Sequence, residues 1–140
     1  MIDHHPSRIL IAEDDPNIRR MLVVSLEREG YRAAEACNGR EALLAMRAGQ
    51  VDLVILDLMM PEVTGLEVLA ERAGEAQLRR IPVIIITANR GDSVPAVSTD
   101  DICALLPKPF HLETLHALIR SCLQQVADGV HPPLAAPPAP

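Results

Sequence analysis

Apolar residues recur along the chain at two spacings, and the two kinds of segment alternate. Leu53-Val54-Ile55-Leu56 is apolar at every position. A strand with one wet face alternates apolar and polar residues, so this run predicts a central parallel strand covered by helices on both sides. Asp57 stands where that strand reaches the surface. Val83-Ile84-Ile85-Ile86-Thr87 reads the same way, with Pro82 at the first strand position, where its missing N–H is tolerated. Arg8 to Ala12 is the first strand and runs into Glu13-Asp14-Asp15. Arg32 to Ala36 is a weaker second strand. Cys103 to Leu106 is a short fifth one, and its continuation into Pro107 suits a sheet edge.

Helical periodicity fills the intervals. Asp15 as N-cap and Pro16 at the first helical position predict a helix to about Glu29, with Ile18, Met21, Leu22, Ser25 and Leu26 on its apolar face and Gly30 as its stop. Asn38 followed by Glu41 starts a second helix that reaches about Ala48, where Gly49 ends it. A third is predicted from about Leu66 to Arg72. A fourth belongs by alternation between Asn89 and Asp101, where Pro95 restricts it to a short segment. His111 to Val126 is the clearest amphipathic helix, with Leu112, Leu115, Ile119, Cys122, Leu123 and Val126 on one face. Strands alternating with helices predict a doubly wound parallel α/β sheet with helices on both sides. Residues 1–7 read as an N-terminal tail and 8–127 as one domain. The Pro- and Ala-rich residues 128–140 read as a disordered or extended tail.

Composition narrows the function. The 140 residues carry a net charge of −6, which argues against a nucleic-acid surface. No apolar run is long enough to span a bilayer and no secretory signal stands at the N-terminus, so a cytoplasmic protein is expected. Cys37, Cys103 and Cys122 lack metal-ligand spacing and are expected as reduced thiols. The five histidines are scattered, and surface or tail positions are expected for them.

The polar residues gain meaning on this frame. Glu13 and Asp14 end strand one, Asp57 ends strand three, Thr87 ends strand four and Lys108 follows strand five. All lie at carboxyl ends, where open α/β sheets bind ligands. Three carboxylates in one crevice raise one another's pKa, and a hard divalent cation relieves the repulsion; oxygen ligands with room for water favour Mg2+. Lys108 adds a point charge and Thr87 a hydroxyl. Such a clamp around a carboxylate suits an aspartyl phosphoryl acceptor.

With these motifs in place, residues 8 to about 126 resemble a response-regulator receiver domain of the chemotaxis-regulator-like, two-component type. The matching stretches are Ile9-Leu10-Ile11-Ala12-Glu13-Asp14-Asp15-Pro16, Asp57-Leu58-Met59-Met60-Pro61 with Gly65, Ile86-Thr87-Ala88 and Lys108-Pro109-Phe110. The resemblance implies the flavodoxin-like strand order 2-1-3-4-5, for which a member of this family is a standard example. It implies that Asp57 takes a phosphoryl group from a phosphohistidine on a sensor histidine kinase or histidine phosphotransfer protein. Glu13, Asp14, Asp57 and the backbone carbonyl of Met59 would hold Mg2+, Thr87 and Lys108 would bind phosphoryl oxygens, and the Lys108-Pro109 bond would be cis.

Output would pass from a stand-alone receiver, monomeric or dimerising on phosphorylation, to an unknown downstream protein through the fourth helix, strand five and the last helix. Leu105 stands where the family often has an aromatic switch, and Glu13 where Asp is commoner. Met59, two residues after the acceptor, cannot orient a water, so a long-lived phosphorylated state is expected. An aspartyl-nucleophile phosphohydrolase would carry a second Asp at Met59, and a flavin-binding protein would need a phosphate-binding loop in place of the acidic crevice. A phosphorylation-independent interaction module on the same fold is the remaining alternative.

Overall fold

The computed structural model describes residues 6–88 and 102–128. Its five strands are β1 (Arg8–Ala12), β2 (Arg32–Ala36), β3 (Leu53–Asp57), β4 (Val83–Thr87) and β5 (Ala104–Pro107). They form one parallel sheet in the order β2-β1-β3-β4-β5. β3 and β4 are buried at every position, which is the burial their unbroken apolar runs require. Pro107 lies on the edge strand β5, where a missing N–H costs no ladder bond on the open side.

The two-residue period of a strand divides the core into two layers. Leu10, Ala12, Val54, Leu56, Val83 and Ile85 face one side. They pack on α2 (Gly39–Ala48), α3 (Gly65–Ala73) and the one-turn helix α4 (Ala76–Arg79). Ile9, Ile11, Leu53, Ile55, Ile84 and Ile86 face the other side, against α1 (Pro16–Arg28) and α5 (Leu112–Ala127). Leu, Ile, Val, Ala and Met supply nearly all of both layers, as a chain with a single Tyr and a single Phe must arrange it.

Local signals set the helix starts. The Asp15 carboxylate accepts from the N–H groups of Asn17 at 2.8 Å and Ile18 at 3.3 Å. Asn38 accepts from Glu41 N–H at 2.9 Å, and Glu41 accepts from Cys37 N–H at 2.9 Å. Gly49 ends α2 with φ of 90°, a conformation that costs a residue with a Cβ. Thr64 and Glu67 form a reciprocal capping box at the start of α3.

The structure departs from the sequence expectations at several points. Val23, not Met21, completes the buried face of α1, and Met21 is 44% exposed. The helix α4 was not anticipated, because one turn is too short to show a period. Buried Arg72 fixes it in place, donating from Nη2 to the carbonyls of Arg79 at 3.0 Å and Ile81 at 2.8 Å. Cys103 and Cys122 form a disulfide rather than two reduced thiols, because β5 and α5 bring their Cα atoms to 6.2 Å although 19 positions separate them in sequence. His116 is not a plain surface residue: its Nε2 lies 2.6 Å from Ser25 Oγ across the α1–α5 contact. The helix expected between Asn89 and Asp101, the residues at 1–5 and the tail beyond 128 lie outside the described residues.

Candidate functional site

Parallel strands in register end on a common rim, and that rim collects the polar residues singled out in the sequence. Glu13 follows β1, Asp57 closes β3, Thr87 closes β4, and Lys108 follows β5. Glu13, Asp57 and Thr87 are buried, whereas Asp14 is exposed. One carboxylate oxygen from each of Glu13, Asp14 and Asp57 lies within 4.8 Å of the others. Hard oxygen donors of like charge at that spacing fit a divalent cation with several bound waters, and so fit magnesium.

Lys108 is the organising cation. Its Nζ donates to Glu13 Oε1 at 2.8 Å and lies 3.4 Å from Asp57 Oδ2. The shorter of the two contacts is thus to Glu13 and the longer to Asp57. The lysine's backbone is tied to the end of β4. Its N–H donates to the Thr87 carbonyl at 2.7 Å, and the following Lys108-Pro109 bond is cis, as expected. Asp57 is held in turn by Met59 N–H, which donates to Oδ1 at 3.0 Å.

The electrostatics follow from burial and crowding. Desolvation pushes the Glu13 carboxyl above its usual 4.5, and neighbouring Asp57 adds to the rise; Lys108 and the Asp15 N–H oppose it. For Lys108, burial alone would lower the pKa, but the carboxylates of Glu13 and Asp57 outweigh it and raise the pKa above 10.5. The ammonium therefore stays charged at neutral pH. The site couples a fixed positive charge to a cluster of carboxylates that holds more negative charge than one lysine can neutralise.

One supporting residue, Arg19, was not foreseen. Arg19 Nη1 donates to the carbonyl of Glu13 at 2.8 Å, and its Nε pairs with Glu35 at 3.2 Å, fixing the acidic turn against β2. Its one sequence signal is a polar residue in the first turn of the helix that follows the acidic run. Gly65 closes the acceptor loop, donating its N–H to the Leu58 carbonyl at 3.2 Å. Met59 is 58% exposed beside the carboxylate. Asp15 serves as a helix cap, as expected, and Asp52 accepts from Arg8 N–H at 2.8 Å at the opposite end of the sheet.

Residues 9–120 match the response regulator receiver domain family. The chain belongs to that family. A transcriptional regulatory protein of Bacillus subtilis, YkoG, is 45% identical over 121 residues, which cover 84% of this chain and 51% of that protein. The Escherichia coli transcriptional regulatory protein GlrR is 34% identical over 129 residues, 90% of this chain and 28% of that protein. The chain thus spans about half or less of these curated relatives.

Solved receivers share the fold. The Thermotoga maritima response regulator TrrA, in complex with Mg(2+)-BeF, superposes with a TM-score of 0.71 at 36% identity, covering 82% of this chain and 97% of that one. A CheY-like receiver from Methanospirillum hungatei gives 0.80 at 25% identity, covering 89% and 99%. This receiver domain therefore has the five-stranded CheY-like architecture that its sequence predicts.

Proposed function

We propose that this receiver accepts a phosphoryl group on Asp57 from a phosphohistidine of a sensor kinase or phosphotransfer protein. The observation that carries the proposal is a buried carboxylate at a strand end, with two further carboxylates and a lysine converging on it. Glu13, Asp14 and Asp57, with the Met59 carbonyl, would hold Mg2+, which when bound offsets the negative charge gathered in the crevice. An Asp57 carboxylate oxygen attacks phosphorus and the P–N bond to the donor imidazole breaks, its electron pair leaving on the donor nitrogen. Lys108 balances charge on the phosphoryl oxygens and Thr87 supplies a hydroxyl donor. The modification replaces the single charge of the carboxylate with a phosphoryl group of about −1.5 to −2, a net gain of about one negative charge or less, at a site whose groups are already fixed.

Signalling would be a shift between conformations already present, biased by contacts that Thr87 and Lys108 make with the phosphoryl group. Output would pass through protein contacts on β5 and α5, where Leu105 is 37% exposed, rather than through an aromatic switch. Among the described residues no helix is long and apolar enough to cross a membrane. A cytoplasmic location and a protein rather than nucleic-acid contact for this domain belong to the same proposal.

The test is incubation with Mg2+ and a small phosphodonor, followed by intact-mass measurement. We expect a single phosphoryl adduct on the wild-type chain, loss of that adduct in Asp57→Asn, and no adduct without the metal. A wild-type chain that takes no phosphoryl group while its amide spectrum shows it folded would replace this reading with the phosphorylation-independent module.

A further inference from the structure

Beyond the acceptor site, we propose that Cys103 and Cys122 are a reversible thiol-modification site. Its disulfide staples α5 to β5 and closes a covalent loop around Lys108. Cys103 stands at the entrance to β5 and is partly exposed, while Cys122 is buried on the inner face of α5. The loop between them contains the whole of β5, the Lys108-Pro109 turn and most of α5. Apart from apolar packing, the ties of α5 to the domain include the Ser25–His116 bond at 2.6 Å, a 3.8 Å contact between Gln125 and Cys103 Sγ, and a 4.0 Å ion pair between exposed Arg120 and Glu29. An exposed pair of that length contributes little. The bond is therefore the strongest restraint described on the last turns of this helix.

Both redox states fold, because the surrounding layer packs without the bond: Ile84, Ile86, Leu106, Leu115 and Ile119 are all buried there. Exchange begins at the accessible sulfur. A small-molecule thiolate attacks Cys103 Sγ, the S–S bond breaks, and its electron pair leaves on Cys122 Sγ, which takes up a proton. A second small thiol then attacks the mixed disulfide and frees Cys103. In sum, two small thiols are oxidised to one disulfide and the protein disulfide is reduced to a dithiol; oxidised glutathione drives the reverse. Cys37, which directly follows β2, is a free cysteine and has no part in this pair. The β5–α5 surface is the proposed output face, so any consequence for signalling rests on the receiver reading. The thiol chemistry does not.

The full chain is equilibrated with oxidised glutathione or with dithiothreitol, its free thiols are alkylated, and the modified peptides are mapped by mass. Hydrogen exchange of α5 is followed in both samples. We expect Cys103 and Cys122 to escape alkylation after oxidation and to be recovered as one disulfide-linked pair of peptides, with Cys37 carrying an alkyl group or glutathione, and all three cysteines to be alkylated after reduction. Exchange in the last turns of α5 should be at least tenfold faster in the reduced chain, and Cys103→Ser should exchange at the reduced rate under both conditions. Alkyl groups or glutathione on Cys103 and Cys122 after oxidised glutathione, or equal α5 exchange in the two states, would overturn the proposal. Phosphoryl transfer enters neither readout, so failure of the acceptor reading is seen separately, in the Asp57 mass assay.

Discussion

Gly65 offers a direct test of how the fold holds the acceptor in place. A Cβ added there would lie 2.5 Å from the Asp57 carbonyl oxygen and 2.6 Å from Leu58 Cα, with Asp57 C at 3.1 Å. Ordinary contact begins at 3.4 Å, so the methyl group overlaps its nearest neighbour by about 0.9 Å. Every one of these atoms is backbone, and none can rotate away. The end of β3 must move, or the start of α3 must lift off it. Forcing a methyl group into packed structure costs about 1–3 kcal/mol, and the lower chain entropy of unfolded alanine returns only about 0.4–1 kcal/mol. Gly65→Ala should therefore lose about 1–2 kcal/mol in urea denaturation. Because two of the three displaced atoms belong to Asp57, it should also slow adduct formation in the mass assay. Gly74 is the matched control: its φ is −86°, and the nearest atom to an added Cβ is Glu71 O at 3.6 Å. Gly74→Ala should be neutral or stabilising by about 0.4–1 kcal/mol. A Gly65→Ala chain as stable as wild type, with unchanged phosphorylation, would refute the reasoning.

Exposed Met59 presents no group that can orient a water, so the phosphorylated chain should lose its label slowly, and Met59→Asn should lose it several-fold faster; following intact mass after donor removal decides this. Glu13 titrates higher folded than unfolded because burial, then Asp57, disfavours its charge. The folded chain thus binds the extra proton, and stability falls as pH rises from about 4.5 through the raised folded value. Mg2+ should offset that loss, so its stabilisation in urea melts should be largest at neutral pH and vanish in acid, and Glu13→Gln should flatten the pH dependence. Arg72→Ala removes the donors to the buried Ile81 carbonyl and to Arg79. It should cost at least about 1–3 kcal/mol in urea denaturation while Asp57 still accepts phosphate.

The sheet and the acceptor were legible in the sequence because their signals are local. Apolar runs without alternation marked β3 and β4 as central, and one carboxylate or hydroxyl at each strand end fixed which rim would carry the chemistry. Asp15, Asn38 and Gly49 announced helix boundaries through bonds to backbone groups no more than a few residues away. What escaped involves partners far apart in the chain or segments shorter than a period. Lys108 and Glu13 are 95 residues apart, and no pattern could say that the lysine would lie nearer to Glu13 than to Asp57. The α4 turn has too few residues to show periodicity, and the Arg72 guanidinium that pins it reads in sequence as one more charge on a helix.

By itself, then, the sequence determined the fold class, the identity of the carboxylates and the rim on which they meet, because parallel strands in register leave their carboxyl ends together. Only the tertiary structure decided which charges touch, which thiols bond and which side chain of α1 is buried. Those outcomes depend on distances between elements, set when the two apolar layers close on the sheet. A local spacing rule carries no information about them.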